Sequence, residues 1–205
     1  MSIEAMPVVL TKAELAVLAA MAVPSDANLI ESLELPPVDG ERNEVGSAGL
    51  SSLVARDLLR GAGESAELDV VTAAAGVAVA APISCVSLVI GTSAVPTRVV
   101  DIDGARVLLE PVSAGNVKCS MLDASTPLEN VVATAVIAAG ADDPSLMVRV
   151  AFEVSGSAQR NLVLTIAHSA TSHLIVDDGE ASARTVTNDE LAGELRSCMV
   201  KGDCQ

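Results

Sequence analysis

The sequence predicts an α+β fold of two quasi-symmetric halves, each a mainly antiparallel β-meander flanked by helices. Three observations predict it. Capping signals mark helix starts at Thr11 with Glu14, at Thr126-Pro127 with Glu129, and at Thr187 with Glu190. Runs rich in Val, Leu and Ile follow, punctuated by Asp-Gly pairs that favour tight hairpins. Finally, TRVVDIDG (97–104) lines up with SHLIVDDG (172–179) at an offset of 75 residues (172 − 97), with Val99-Val100 on Leu174-Ile175 and both Asp-Gly pairs coinciding.

Taken in order, the first helix runs from Lys12 to about Met21, behind the Thr11–Glu14 capping box. Residues 24–49 read as an acidic connector. They hold Pro24, Pro36, Pro37, Gly40, Gly46 and Gly49, and six acids lie between Asp26 and Glu44 against Arg42 alone. Leu50, Leu53, Val54 and Leu58 recur at helical spacing, so a second helix is expected over 50–60, with Gly61 as its stop.

From Val70 to Thr97, 28 residues carry no charge, which is long enough for a membrane span. Gly76 and Pro82 interrupt the run, hydroxyl residues dilute its second half, and neither an aromatic belt nor a basic cluster flanks it. Its first part, VVTAAAGVAVAA (70–81), is Ala-rich; its second, ISCVSLVIG (83–91), is β-branched. The expectation is a buried helix over 67–81, a break at Pro82 and a buried strand over 83–90, with a span over 70–97 as the alternative.

Strands at 97–102 and 106–111 follow, joined by Asp103-Gly104. Residues 113–122 fit a strand through Val117, Cys119 and Met121, and also a short helix through Val117 and Met121. The offset of the repeat places the final capped helix on them, which favours helix. A helix over 127–139 buries Val131, Val132, Ala135 and Val136 and stops at Gly140. Four strands are expected at 146–154, 161–167, 172–177 and 181–186. The last helix passes through Leu191, Leu195 and Met199. The halves divide at 1–125 and 126–205, in one compact unit.

Composition narrows the function. The chain has 27 Asp+Glu against 12 Lys+Arg, a formal charge of −15, and −8 of it falls in residues 1–69 (4 bases, 12 acids). Such a surface repels phosphate, so nucleic acid is excluded as a partner. There is no Trp or Tyr and one Phe, Phe152, which leaves Ala, Val, Leu, Ile and Met to build the core. A hydrophobic content of 50% is that of a folded chain. No basic residue precedes Lys12, so there is no secretory n-region and the expected location is cytoplasmic.

Catalytic sets are missing from the pattern. Cys85, Cys119, Cys198 and Cys204 form no C-x-x-C pair, so free thiols and no metal site are expected. His168 beside Ser169, and His173 after Ser172, are candidates for a hydrolase with Asp177 and Asp178, but no nucleophile elbow or oxyanion loop accompanies them. Asp101 and Asp103, and Asp177, Asp178 and Glu180, cluster carboxylates at turns, where turn chemistry accounts for them. GAGES (61–65) lacks the frame of a phosphate loop. No catalytic, cofactor or metal residue is assigned, and the chain is expected not to be an enzyme.

Several segments together resemble the EspG family of type VII secretion-associated proteins. They are LTKAELAVLAAM (10–21), GLSSLVARDLLRGAG (49–63), the uncharged helix-to-strand passage, DIDGARVLLEPV (101–112) and VDDGEASARTVTNDELAGEL (176–195). The resemblance implies two quasi-symmetric α/β halves, no enzymatic activity, no cofactor, and a cytosolic chaperone. Such a chaperone binds an apolar helical secretion substrate and keeps it soluble. The chain departs from the family in being shorter and in lacking its aromatics. Two alternatives stand beside this reading: a structural or interaction module that self-associates through sheet edges as a homodimer, and a hydrolase using His168. No membrane span is expected.

Overall fold

Thr11 accepts the backbone N–H of Glu14 on its side chain, and the Glu14 carboxylate accepts the N–H of Thr11; the helix this box starts is the centre of the first half of the molecule. The computed structural model describes residues 5–22, 27–38, 44–61, 65–91, 95–113, 115–142, 147–154, 160–166, 171–176 and 182–201. Helices and antiparallel strands are mixed along the chain, as an α+β fold requires. The elements fall into two compact units. One comprises residues 1–84 with 99–122, the other residues 85–98 with 123–205.

In the first unit, β1 (Val8–Thr11) leads directly into α1 (Lys12–Met21). Then come α2 (Ala27–Ser32), α3 (Glu44–Ala55), the short pair β2 (Leu59–Arg60) and β3 (Glu67–Leu68), and α4 (Val70–Ala80). The sheet of this unit is ordered β1-β7-β6-β5, with β5 (Thr97–Ile102), β6 (Ala105–Ser113) and β7 (Asn116–Leu122). Val107 and Leu109 of β6 and Val117 and Cys119 of β7 alternate into the core, as period-2 strands must.

Helix α1 is buried on nearly every side, from Glu14 through Ala19, because it packs against both α3 and α4. Both contacts are close, and glycine makes them so. A Cβ on Gly49 of α3 would lie 2.6 Å from the Ala13 carbonyl oxygen, and one on Gly76 of α4 would lie 3.0 Å from Leu18 Cβ. Helix α4 also lies on β6 and β7. Its Ala-rich sequence is therefore that of a helix pressed between neighbours. Among the described residues no helix is long and apolar enough to cross a membrane.

In the second unit the strand order is β4-β8-β9-β10-β11, with β4 (Ser84–Ile90), β8 (Met147–Val154), β9 (Arg160–Ile166), β10 (Thr171–Val176) and β11 (Ser182–Thr187). From β8 onward each neighbouring pair is antiparallel. Helices α5 (Leu128–Asp142) and α6 (Asn188–Lys201) pack on each other, and Glu129 pairs with Arg196 between them. Thr187 and Glu190 form the expected reciprocal cap of α6, at 3.0 and 3.3 Å. Val132, Val136, Val148, Val150, Phe152, Leu191 and Leu195 are buried.

The uncharged run breaks where its composition changes. Helix α4 ends at Ala80 and strand β4 begins at Ser84. The helix starts at Val70, since Asp69 caps it through bonds from the N–H groups of Val71 and Thr72, and Glu67-Leu68 is instead engaged with Leu59-Arg60. The structure corrects the sequence reading in four places. Residues 116–122 are strand, not helix: Gly115 at φ +86° turns the chain, and β7 is paired on both edges, with β6 and β1. Strand β1 has no sequence signal at four residues. Residues 24–49 are not one connector, because α2 and the start of α3 lie there, with Leu29, Leu33 and Leu35 buried. The second helix stops at Ala55, well short of Gly61.

The repeat takes a different form from the one in the sequence match. Each of α4 and α5 is followed by four strands, because β7 adds one to the three that the sequence reading places after α4. Matched in order, the Asp103-Gly104 turn joins the second and third strands of its set. The segment holding Asp178-Gly179 joins the third and fourth, β10 and β11. The offset of 75 thus equates hairpins at different places in the order. Residues 85–98 group with the second unit, not with residues 1–125, because β4 is hydrogen-bonded to β8.

Candidate protein-interaction surface

The capping box leaves Glu14 with a carboxylate that is fully buried, so it needs more partners than Thr11 supplies. Helix α3 brings them. Gly49, Ser52, Leu53 and Arg56 recur at helical spacing on the side facing α1. Ser52 Oγ donates to Glu14 Oε1 at 2.7 Å, and Arg56 Nη1 donates to both oxygens at 2.9 and 2.8 Å. The other guanidinium nitrogen, Nη2, donates to the carbonyl of Val9 at 2.7 Å. Burial works to raise the pKa of Glu14. The Thr11 N–H, the Ser52 hydroxyl and the Arg56 guanidinium outweigh it and hold the carboxyl below its ordinary value.

The opposite side of α3 carries Leu50 and Val54, one turn apart and 43% and 53% exposed. A helix that anchors one face to a buried carboxylate and shows leucine and valine on the other presents an apolar strip at fixed geometry. Near the chain start, Met6 and Val9 are also exposed.

Next to this helix lies a cleft of about 340 Å³. Its charged lining includes Arg56, Asp57, Arg60, Glu67 and Asp69. Arg60 makes two bonds to Asp57, at 2.8 and 2.6 Å, and its hydrogen bonding holds the Asp57 carboxyl below the usual range. Asp57 sits at φ +58°, a conformation that aspartate tolerates better than most residues.

No known protein family and no curated protein matches this sequence.

The residues singled out by sequence are dispersed. Asp101 lies on β5, where it accepts from Arg106 and Ser84; Arg106 is buried, so this carboxylate serves the hairpin. Asp103 is exposed in the turn. His173 stands on β10, in register with Thr165 and Thr185. His168, Ser169, Asp177, Asp178, Glu180 and Cys204 lie outside the described residues, and Cys198 falls in α6. Among the described residues no group of three or more His, Cys, Asp or Glu is placed to hold a metal ion. Sequence reasoning missed Ser52 and Arg56. Their only signal is spacing, two polar residues at 52 and 56 that fall on the side of Gly49.

Cys85 and Cys119 are buried thiols outside any disulfide, and burial pushes the Cys119 thiol up to about 12. Burial shields both from a disulfide reagent, and Cys119 also has little of the reactive thiolate at pH 8, so both stay unlabelled until the protein unfolds. Mass spectrometry of the labelled, digested protein checks this residue by residue.

Proposed function

We propose that the chain is a non-catalytic chaperone or adaptor that binds an apolar helical protein, a type VII secretion substrate, and keeps it soluble in the cytoplasm. The exposed Leu50–Val54 strip on α3 carries the reading. An apolar helix docks on such a strip through side chains three and four residues apart, and the acidic surface around it keeps the complex soluble. The resemblance of residues 49–63, which contain this strip, to secretion chaperones supports the identity of the partner.

The test is co-expression with secretion substrates encoded beside this protein, followed by affinity purification. The expected result is a stable complex that Leu50→Asp with Val54→Asp weakens by at least about tenfold. Stability should change by no more than about 0.5 kcal/mol per site, since both side chains are solvent-exposed. Failure of every encoded substrate to co-purify, or undiminished binding by the double variant, would overturn the reading. A self-associating module remains the second reading, and β11, at the end of the strand order of the second unit, is the observation that favours it.

A further inference from the structure

Among the described residues β1 is the last strand on its side of the sheet, and an edge strand offers unpaired backbone groups to any other chain. Which groups it offers follows from its phase. Lys12 N–H donates to the Gly115 carbonyl at 2.9 Å, and the register pairs Leu10 with Val117 and Val8 with Cys119. Backbone groups alternate sides along a strand, so Val8, Leu10 and Lys12 address β7 while Val9 and Thr11 address the free edge. The two outward groups of this stretch that flank Leu10 are the Val9 carbonyl and the Thr11 N–H. Both are taken. Arg56 donates to the first at 2.7 Å, and Glu14 accepts from the second at 2.8 Å.

A donor to the carbonyl before Leu10 and an acceptor from the N–H after it are what one residue of a parallel neighbouring strand would supply. Here the guanidinium stands for that residue's N–H and the carboxylate for its carbonyl. The two are locked together by the bonds from Arg56 Nη1 to both Glu14 oxygens. The Thr11–Glu14 bond alone is ordinary helix capping. The Arg56–Val9 bond is not, since it joins residues 47 apart in sequence. We propose that the Glu14–Arg56 ion pair acts as a surrogate strand that closes the β1 edge to a second copy of this chain. Met6 and Val9, exposed on this segment, make such closure necessary, because an apolar edge with free backbone groups is a site of edge-to-edge association.

The experiment compares masses by light scattering across a range of protein concentration. Four full-length proteins are used: wild type, Val9→Pro, the double variant Glu14→Met with Arg56→Met, and that double variant carrying Val9→Pro. Proline removes an outward N–H and leaves the pairing with β7 intact. Val9→Pro alone is expected to leave the wild-type mass unchanged. The double variant is expected to double in mass, and adding Val9→Pro is expected to return it to the wild-type value. Arg56→Lys keeps a cation beside Glu14 but lacks the second nitrogen that reaches the Val9 carbonyl, and serves if the double variant fails to fold; it must associate by the same Val9-dependent route. A folded variant of either kind that keeps the wild-type mass, or an association that Val9→Pro does not reverse, overturns the proposal.

Discussion

Glu14→Ala lowers the unfolding free energy by about 2 kcal/mol: buried donors lose their acceptor, but Arg56 is 40% exposed and is not left as a buried charge. The loss has several sources. The Thr11 N–H and the Ser52 hydroxyl each lose an acceptor at the base of a buried helix, and Arg56 loses the carboxylate that orients it. Urea titration followed by far-ultraviolet circular dichroism measures the change, with an unaltered slope marking a pure stability effect. The same residue sets an acid limb. The Glu14 carboxyl is held below its ordinary value of 4.5 in the folded protein. A depressed carboxylate stabilises the fold above its unfolded pKa, and that contribution is lost as pH falls through the folded value. Stability therefore declines as pH drops below about 4.5 and toward the folded pKa. In Glu14→Gln, which has no charge to titrate, this limb flattens. A limb of unchanged slope would show that other carboxylates dominate acid unfolding.

Gly49→Ala is the second large effect, at about 2 kcal/mol, a typical overpacking cost. The added carbon would meet the Ala13 carbonyl oxygen at 2.6 Å and its carbon at 2.9 Å. Both are backbone atoms of α1, so the helices must separate. Separation also withdraws Ser52 and Arg56 from Glu14, because Gly49, Ser52 and Arg56, which directly follows α3, lie on one side. Gly49→Ala and Glu14→Gln should consequently be less than additive when combined, as changes within one network are. A double-mutant cycle in urea tests this. Full additivity would mean that α3 tilts without loosening the ion pair. Gly76→Ala should cost less, as its nearest neighbour is 3.0 Å away and includes a side-chain atom.

The contrast between these positions shows what could be read from the chain alone. Thr11 and Glu14 were legible because a capping box is local, its two residues only three apart. The break between α4 and β4 was legible because the run changes from small to β-branched residues at a proline. Ser52 and Arg56 were not, because their partner lies 38 and 42 residues away and no spacing rule links them. Residues 116–122 were misread for a related reason. Their helix and strand patterns are close to balanced, and the balance is tipped by pairing with β1, a distant strand too short to announce itself. The apolar strip on α3 illustrates a third limit. Leu50, Leu53, Val54 and Leu58 share a spacing, and only the close approach at Gly49 determines that Leu53 faces inward while Leu50 and Val54 face water.

The passage of the chain between its two units has a consequence during synthesis. Strand β4, with Cys85, Val86 and Leu88 buried in the finished protein, is translated well before β8, the strand it is hydrogen-bonded to in its own unit. More than fifty residues separate the end of β4 at Ile90 from the start of β8 at Met147. At roughly 5–20 residues per second, translation leaves this apolar strand without that partner for several seconds. During that interval the edge of β4 that later pairs with β8 has no neighbour and is open to association. A gene fragment ending at residue 125 prolongs the interval indefinitely, so the second unit must be expressed together with residues 85–98 to complete its sheet.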